Sequence, residues 1–243
     1  MEKNGLERMK EEFISNISHE LRTPLAIAKG SIELVLEDEL SEEQRSILIR
    51  GRDNLEKLNR IVDDLIEIAQ LEDNPKLNFE WVDVEALIAG CLTELAPKAA
   101  SRGIRIKARC HRNLPSVVGD SKKLRKAFTC ILDNAIKFND RGGEVVIGTR
   151  LKPDQLEIIF ADNGIGIPRN QRSRIFDAFY QVDSSSRRRY NGMGLGLAIA
   201  NKIITLHEGK ISVEGRKKRG SIFKVMLPLN RPVFRELKDK VYI

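Results

Sequence analysis

Apolar residues recur along the first third of the chain at helical spacing. Ile14, Ile17, Leu21, Leu25, Ala28, Ile32 and Val35 step by three or four, the stripe of an amphipathic helix of heptad type. Leu6 and Phe13 extend it weakly backward through a Glu/Lys-rich start. A second stripe runs through Ile47, Gly51, Leu55, Leu58, Val62, Leu65 and Ala69. Between them lies the short polar stretch EDELSEEQ, in which Ser41 followed by Glu42, Glu43 and Gln44 suits a helix N-terminus. Residues 1–73 therefore predict two long helices in an antiparallel hairpin. One hairpin cannot bury two full stripes against itself, so the pattern predicts a homodimer whose two hairpins form a four-helix bundle.

The pattern changes after residue 73. DNPKLN carries linker punctuation, with the linker proper at 74–78. Beyond it, WVDV is strand-like and VEALIAGCLTELAPKAASRG reads as a helix with a break at Pro97 and a stop at Gly103. IRIKARC and SVVGD read as strands, and SKKLRKAFTCILDNAIKFND as a strong helix. EVVIGTRL and QLEIIFAD alternate like paired strands. GMGLGLAIANKIITLHEG reads as a helix with a glycine-rich lead-in and a glycine stop, followed by the strands KISVEG and SIFKVMLPL. Helices packed on one face of a mixed sheet follow from this order. The predicted class is α+β: a helical hairpin, an α/β sandwich over 79–230, and a polar tail at 231–243.

Composition narrows the function classes. Of 243 residues, 41% are hydrophobic and 32% charged, which fits a globular chain and excludes wholesale disorder. No apolar run approaches the roughly 18 residues of a membrane span, and no secretory signal is visible at Met1. Cys91, Cys110 and Cys130 lack metal-ligand spacing and read as thiols of a reducing compartment, so a cytoplasmic location is expected. The formal charge of +7 allows an anionic partner. Its bases are dispersed, apart from Arg187–Arg189 and RKKR at 216–219, and there is little aromatic interleaving. Nucleic acid is therefore not the expected partner.

Four segments carry candidate chemistry. His19 falls roughly 160° from the centre of the first stripe, so it faces solvent on a helix. Glu20 beside it supplies a carboxylate near the ring, as general-base chemistry needs. Pro24 removes the hydrogen bond to the Glu20 carbonyl and bends the helix there. In CILDNAIKF, Asn134 and Lys137 share a helix face, with an amide oxygen suited to magnesium and an ammonium suited to phosphate. In IIFADNGIGIP, Asp162 ends a strand, and Gly164 and Gly166 allow close approach of a flat ligand. In NGMGLGLAIANKI, glycines lead directly into a helix whose first N–H groups favour phosphate. Each is weak alone. A helix face of Asn and Lys is usually solvated, and DNG is first of all a turn.

In this order the motifs resemble the sensor histidine kinases of two-component signalling. FISNISHELRTPL is similar to their phosphoacceptor box and DNAIKF to the asparagine box. DNGIGIP and GMGLGLAIA resemble the two glycine boxes, RIFDAFYQVD the phenylalanine box between them, and GSIFKVMLP the closing glycine-strand motif. The likeness runs from about residue 8 to about residue 228. It implies a dimerisation and phosphotransfer hairpin followed by an ATP-binding domain of the fold shared with gyrase and heat-shock chaperone ATPases.

By the same resemblance His19 would be phosphorylated from ATP with Glu20 as its base, and Thr23 would position water in a reverse phosphatase reaction. Asn134 would hold Mg2+, Lys137 would face phosphate and Asp162 would read adenine. Phe138, Gly164, Gly166, Ile167, Gly192, Met193, Gly194, Leu195, Gly196 and Leu197 would complete the nucleotide pocket, with 168–191 as its lid. The implied partners are a second copy of the chain and the receiver domain of a response regulator. Cys130 stands where many members have a further asparagine, and Gln181 where some have a phosphate-facing arginine, a charge that Arg187, Arg188 and Arg189 could supply instead. A phosphatase-dominant protein or a silent ATP-binding scaffold remain the alternatives. The start of the chain reads as if it continued from an upstream sensor or transmembrane region.

Overall fold

The computed structural model describes residues 20–72, 75–111, 114–182, 193–216 and 219–229. His19, Gly192, Arg187–Arg189 and the tail expected at 231–243 lie outside the described residues. The chain divides into two units, Met1–Pro75 and Lys76–Ile243.

In the first unit, α1 is helical over 20–36 and α2 spans Glu42–Glu72. The helical assignment of α1 continues through Pro24. The start of α2 is a capping box: the Gln44 N–H donates to Ser41 Oγ at 3.2 Å, and the Ser41 N–H donates to Gln44 Oε1 at 3.0 Å. The helices run antiparallel, because Arg22 meets Asp63 while Lys29 meets Glu56. Val62, Ile66 and Leu71 of α2 are buried. Leu21, Val35, Ile47, Leu58 and Leu65 of the predicted stripes stay exposed, as do Ile27, Leu34 and Ile49. So many exposed aliphatic side chains on two helices are the pattern of a surface that a further helix pair would cover.

The second unit is a two-layer sandwich. Its elements are β1 (Glu80–Val82), α3 (Val84–Ser101), β2 (Arg105–Arg109), β3 (Val117–Gly119), α4 (Ser121–Lys137), β4 (Glu144–Leu151), β5 (Gln155–Asp162), α5 (Gly196–Leu206), β6 (Lys210–Gly215) and β7 (Ser221–Pro228). Five strands form a mixed sheet in the order β2-β4-β5-β7-β6, with β2 parallel to β4 and the other pairs antiparallel. β1 and β3 form a separate antiparallel pair. Alternation fixes the register. Val145 and Ile147 of β4, Leu156, Ile158 and Phe160 of β5, and Phe223, Val225 and Leu227 of β7 are buried, which sets one sheet face against the helices. β2, at one edge, turns Arg105, Lys107 and Arg109 outward at alternate positions.

The middle helix, α4, carries the core. Leu124, Ala127, Phe128, Ile131, Leu132, Ala135 and Ile136 recur at helical spacing and are all buried. Phe128 meets Phe160 edge to face at 5.5 Å between ring centroids. Both long helices begin on aspartate caps: Asp83 accepts from the Ala86 N–H and Asp120 from the Lys123 N–H. Asp120 also accepts from the Asn78 N–H, and its own N–H donates to Nε2 of the buried His207. His207 therefore carries its proton on Nδ1, 2.7 Å from the Ile203 carbonyl. This arrangement ties the last linker residue, Asn78, to the second unit.

Two local expectations change. α3 runs unbroken through Pro97, because burial of Leu95 and Ala99 on either side outweighs the one missing backbone donor. It ends as predicted at Gly103, at φ 66°, with the Ile104 N–H bonded to the Ala99 carbonyl. After α5 the left-handed residue is Glu208, at φ 57°, and not the glycine that follows. Gly209 is required for space, since a Cβ there would lie 2.5 Å from the Met226 carbonyl oxygen.

Removing the Phe128 ring leaves a cavity between α4 and the sheet. Phe128→Ala is expected to lower stability in urea unfolding by about 3–5 kcal/mol, and a loss below about 1 kcal/mol would remove Phe128 from the core.

Candidate functional site

The second unit gathers most of the predicted positions around the C-terminal half of α4. Core burial on one side of α4 leaves Cys130, Asn134 and Lys137 half-buried along a common flank, at spacings of four and three. Cys130 Cβ and Sγ lie 3.8 Å from where a Cβ on Gly196 would sit, so this flank faces the start of α5. Lys137 Nζ stands 4.8 Å from the centre of the Phe138 ring. Burial pulls its ammonium below the ordinary lysine value, against the opposing charge of Asp133. Lys98 reaches Asp133 in turn, and Arg102 donates to the Lys137 carbonyl at 2.8 Å.

Asp162 closes the other side of this region. It is the last residue of β5 and is only 5% exposed. Its Oδ1 accepts from the Gly164 N–H at 2.9 Å and from the Ser221 N–H at 3.1 Å. Both of those bonds go to one oxygen, which leaves Oδ2 as the acceptor a ligand can use. Burial pushes the carboxyl above the usual aspartate value, while the two N–H donors and the Arg216 guanidinium pull it back.

Backbone fit holds this carboxylate in place. A Cβ on Gly164 would lie 2.3 Å from the Phe138 carbonyl oxygen, which accepts from the Ile165 N–H at 3.1 Å. The end of α4 and the loop after β5 are thus locked together. Gly220, at φ 108°, passes so close that a Cβ would stand 2.0 Å from the Asp162 carbonyl oxygen. Gly166 adopts φ 75° in the same loop, and Ile167 accepts from Arg172 Nε at 3.1 Å.

The glycine-rich segment forms the third wall. Gly194 has φ 76°, and its carbonyl accepts from the Phe179 N–H at 3.2 Å. Met193, Gly196 and Leu197 are half-buried and Leu195 is buried. α5 starts at Gly196 without a side-chain cap, so its first N–H groups are available to an anion. The described part of the predicted lid includes short 3-10 turns at Arg169–Gln171 and Arg174–Phe176. It is anchored by buried Ile175, by Phe176 edge to face on Phe223, and by the Tyr180 hydroxyl on Gln171.

The first unit carries the remaining positions. Glu20 and Thr23 are exposed on α1, one turn apart, and His19 immediately precedes the described helix. Sequence reasoning assigned no role to Ser221 and Gly220. A glycine placed just before an alternating strand was the available signal. It also passed over Arg216, whose charge acts on Asp162.

Comparison with known proteins now decides the family. Residues 119–231 match the histidine kinase-, DNA gyrase B-, and HSP90-like ATPases, and residues 9–74 match the His Kinase A (phospho-acceptor) domain. The chain belongs to the sensor histidine kinases. It is 35% identical over 223 residues to the signal transduction histidine-protein kinase BarA of Escherichia coli (strain K12), covering 89% of this chain and 24% of that protein. It is 33% identical over 225 residues to the circadian input-output histidine kinase CikA of Synechococcus elongatus, covering 90% and 30%. With BaeS of Escherichia coli (strain K12) it shares 30% identity over 239 residues, 98% of this chain and half of that one. The chain thus spans half or less of these relatives' length. Full-length ShkA, solved in complex with AMPPNP, superimposes with a TM-score of 0.77 at 29% identity over 90% of this chain and 46% of its own. The mycobacterial sensor histidine kinase MprB gives 0.55 at 28% over 62% and 97%.

Adding a methyl group at Gly164 must push the loop off the Phe138 carbonyl. Gly164→Ala is expected to destabilise the second unit by about 1–3 kcal/mol in thermal unfolding; an unchanged melting temperature would show that the contact yields freely.

Proposed function

We propose that this chain is an ATP-dependent protein-histidine kinase that phosphorylates His19 and passes the phosphoryl group to an aspartate of a response-regulator receiver domain. The observation that carries the reading is the buried Asp162 carboxylate, fixed through Oδ1 by two backbone N–H donors and bordered by glycines on two segments, Gly164 and Gly220. Such a pocket offers a flat base one directional acceptor and otherwise close-packed backbone. AMPPNP in ShkA supports an adenine nucleotide as the ligand.

In this reading Asp162 accepts from the exocyclic amine of adenine. Gly164, Gly166 and Ile167 line the base side, and Lys137 and the start of α5, from Gly194 to Leu197, meet the phosphates. Phe138, Met193 and Gly192 complete the pocket. Asn134 is the residue suited to magnesium. Among the described residues no three His, Cys, Asp or Glu side chains gather into a metal cage. A single amide oxygen beside phosphate-binding elements fits an ion that arrives with the nucleotide and keeps most of its waters. When bound, magnesium supplies neutralisation of phosphate charge.

The transfer itself is positioning and electrostatics. The imidazole of His19 must be neutral, as most histidines are near neutral pH. One ring nitrogen attacks the γ-phosphorus, a P–N bond forms, the P–O bond to ADP breaks, and Glu20 holds the proton on the other nitrogen. In the onward step the P–N bond breaks and an acyl phosphate forms on the receiver aspartate. Thr23, four residues after His19 in the sequence, would orient water for the reverse dephosphorylation. The exposed aliphatic surface of the hairpin supports a homodimer as the working unit.

Incubation with γ-labelled ATP and magnesium tests the reading. Label that is absent in His19→Gln, lost in acid and kept in base supports a phosphohistidine. No label on protein that still binds ATP overturns the kinase reading in favour of a phosphatase or a scaffold. Asp162→Asn is expected to weaken ATP binding about 10- to 100-fold by calorimetry without unfolding the unit, because an amide oxygen can still accept from Gly164 and Ser221. The carboxyl pKa is raised in the folded protein, so proton uptake begins above the ordinary aspartate value of 3.8. Adenine needs the ionised acceptor, so affinity should fall on acidification from a higher pH than an unperturbed aspartate would give. Asp162→Asn should abolish that dependence.

A further inference from the structure

We propose that two cross-helix ion pairs set the rotational register of α1 against α2 and so position the phosphoacceptor turn, an inference that rests on the reading of His19 above. Arg22 places Nε 3.1 Å and Nη2 2.9 Å from Asp63 Oδ1. One heptad further along, Lys29 Nζ lies 3.3 Å from Glu56 Oε1. The cations are seven residues apart on α1, and the acids seven apart in reverse order on α2. Antiparallel helices bring both pairs together in the same phase. Turning α1 by one residue swings its side chains through about 100°, which parts both pairs at once.

The ion pairs act beside an apolar seam in which Val62 and Ile66 are buried. Gly51 of α2 faces Ile32 of α1, with Ile32 Cδ1 3.4 Å from where a Cβ would sit. The glycine has no side chain of its own to wedge the helices, and Ile32 reaches into the space it leaves. Gly30 of α1 has nothing within 4 Å of its missing Cβ. The pairs themselves are half exposed, at 52% and 49% for Arg22 and Asp63, and 35% and 37% for Lys29 and Glu56. Exposed pairs add little stability, so the ladder is a poor staple. It discriminates between registers because both pairs are made or lost together. Lys29 also reaches Glu33 at 3.6 Å, and Arg60 reaches Glu56 at 3.7 Å, which keeps the lower pair inside a charge network.

Arg22 sits three residues after His19 and directly before Thr23. Holding the Arg22 side chain to α2 fixes the azimuth of the first described turn of α1, which bears Thr23 and which His19 immediately precedes in the sequence. Arg22 and Asp63 are therefore positioning residues, as are Lys29 and Glu56.

The test uses the full chain with Arg22→Asp, Asp63→Arg and the combined swap, and likewise Lys29→Glu, Glu56→Lys and their swap. Initial rates of labelling from γ-labelled ATP are measured over a range of ATP concentrations, with His19→Gln as the blank. Each single reversal is expected to lower the saturating rate about fivefold while KM for ATP stays unchanged, and each swap is expected to recover it. A swap no faster than its slower single variant, singles equal to wild type, or KM moving in step with the rate would overturn the proposal. If the wild-type chain takes no label, the kinase reading fails and the register claim is judged by hydrogen exchange over residues 20–36. Faster exchange in the singles that returns to the wild-type rate in the swap sustains it; exchange that stays fast in the swap, or never changes, overturns it.

Discussion

A buried carboxylate with a single engaged oxygen organises the second unit. Asp162 ends the central strand of the sheet, and charge at that depth is stable only if donors meet it. The N–H groups of Gly164 and Ser221 do so. To supply them, the loop after β5 must fold back, and β7 must begin beside β5. Gly220 can pass the Asp162 carbonyl only without a side chain, and Gly164 can lie on the end of α4 only for the same reason. One electrostatic requirement thereby joins the ends of β5, β7 and α4, the elements that carry the proposed nucleotide site.

The hairpin answers to a different constraint. Its helices carry aliphatic residues on more than one face, and the described residues leave many of them exposed. Hydrophobic burial alone is then a loose guide to how α1 and α2 turn about each other. Directional contacts, the capping box at Ser41 and the ion pairs between the helices, supply the missing precision.

Much of this was legible in the sequence because it rests on periodicity. The heptad stripes gave both helices of the hairpin, and the alternation in EVVIGTRL and QLEIIFAD gave the central strand pair together with Asp162 at its end. Local rules failed where tertiary burial competes with them. Pro97 reads as a break, yet the helix continues because Leu95 and Ala99 are held in the core. Glu208 takes the left-handed turn that a glycine stop suggests for Gly209, since the space beside the Met226 carbonyl decides where glycine is needed. Ser221 was invisible as a site residue because it acts through its backbone N–H, which no side-chain motif encodes. His207 likewise looked like part of a helix end, and its bond to the Asp120 N–H joins residues 87 positions apart.

The outward charges on β2 bear on solubility and assembly. An edge strand presents unpaired backbone groups that invite another strand to add. β2 lines that edge with Arg105, Lys107 and Arg109 at alternate positions. Lys107 is paired with Glu144 of β4, but a second copy approaching edge to edge would still bring Arg105 and Arg109 against their own kind, and like charges at close range repel. Sheet extension between copies is therefore discouraged at this edge. Cations on a single strand thus guard the edge at which the sheet would otherwise grow.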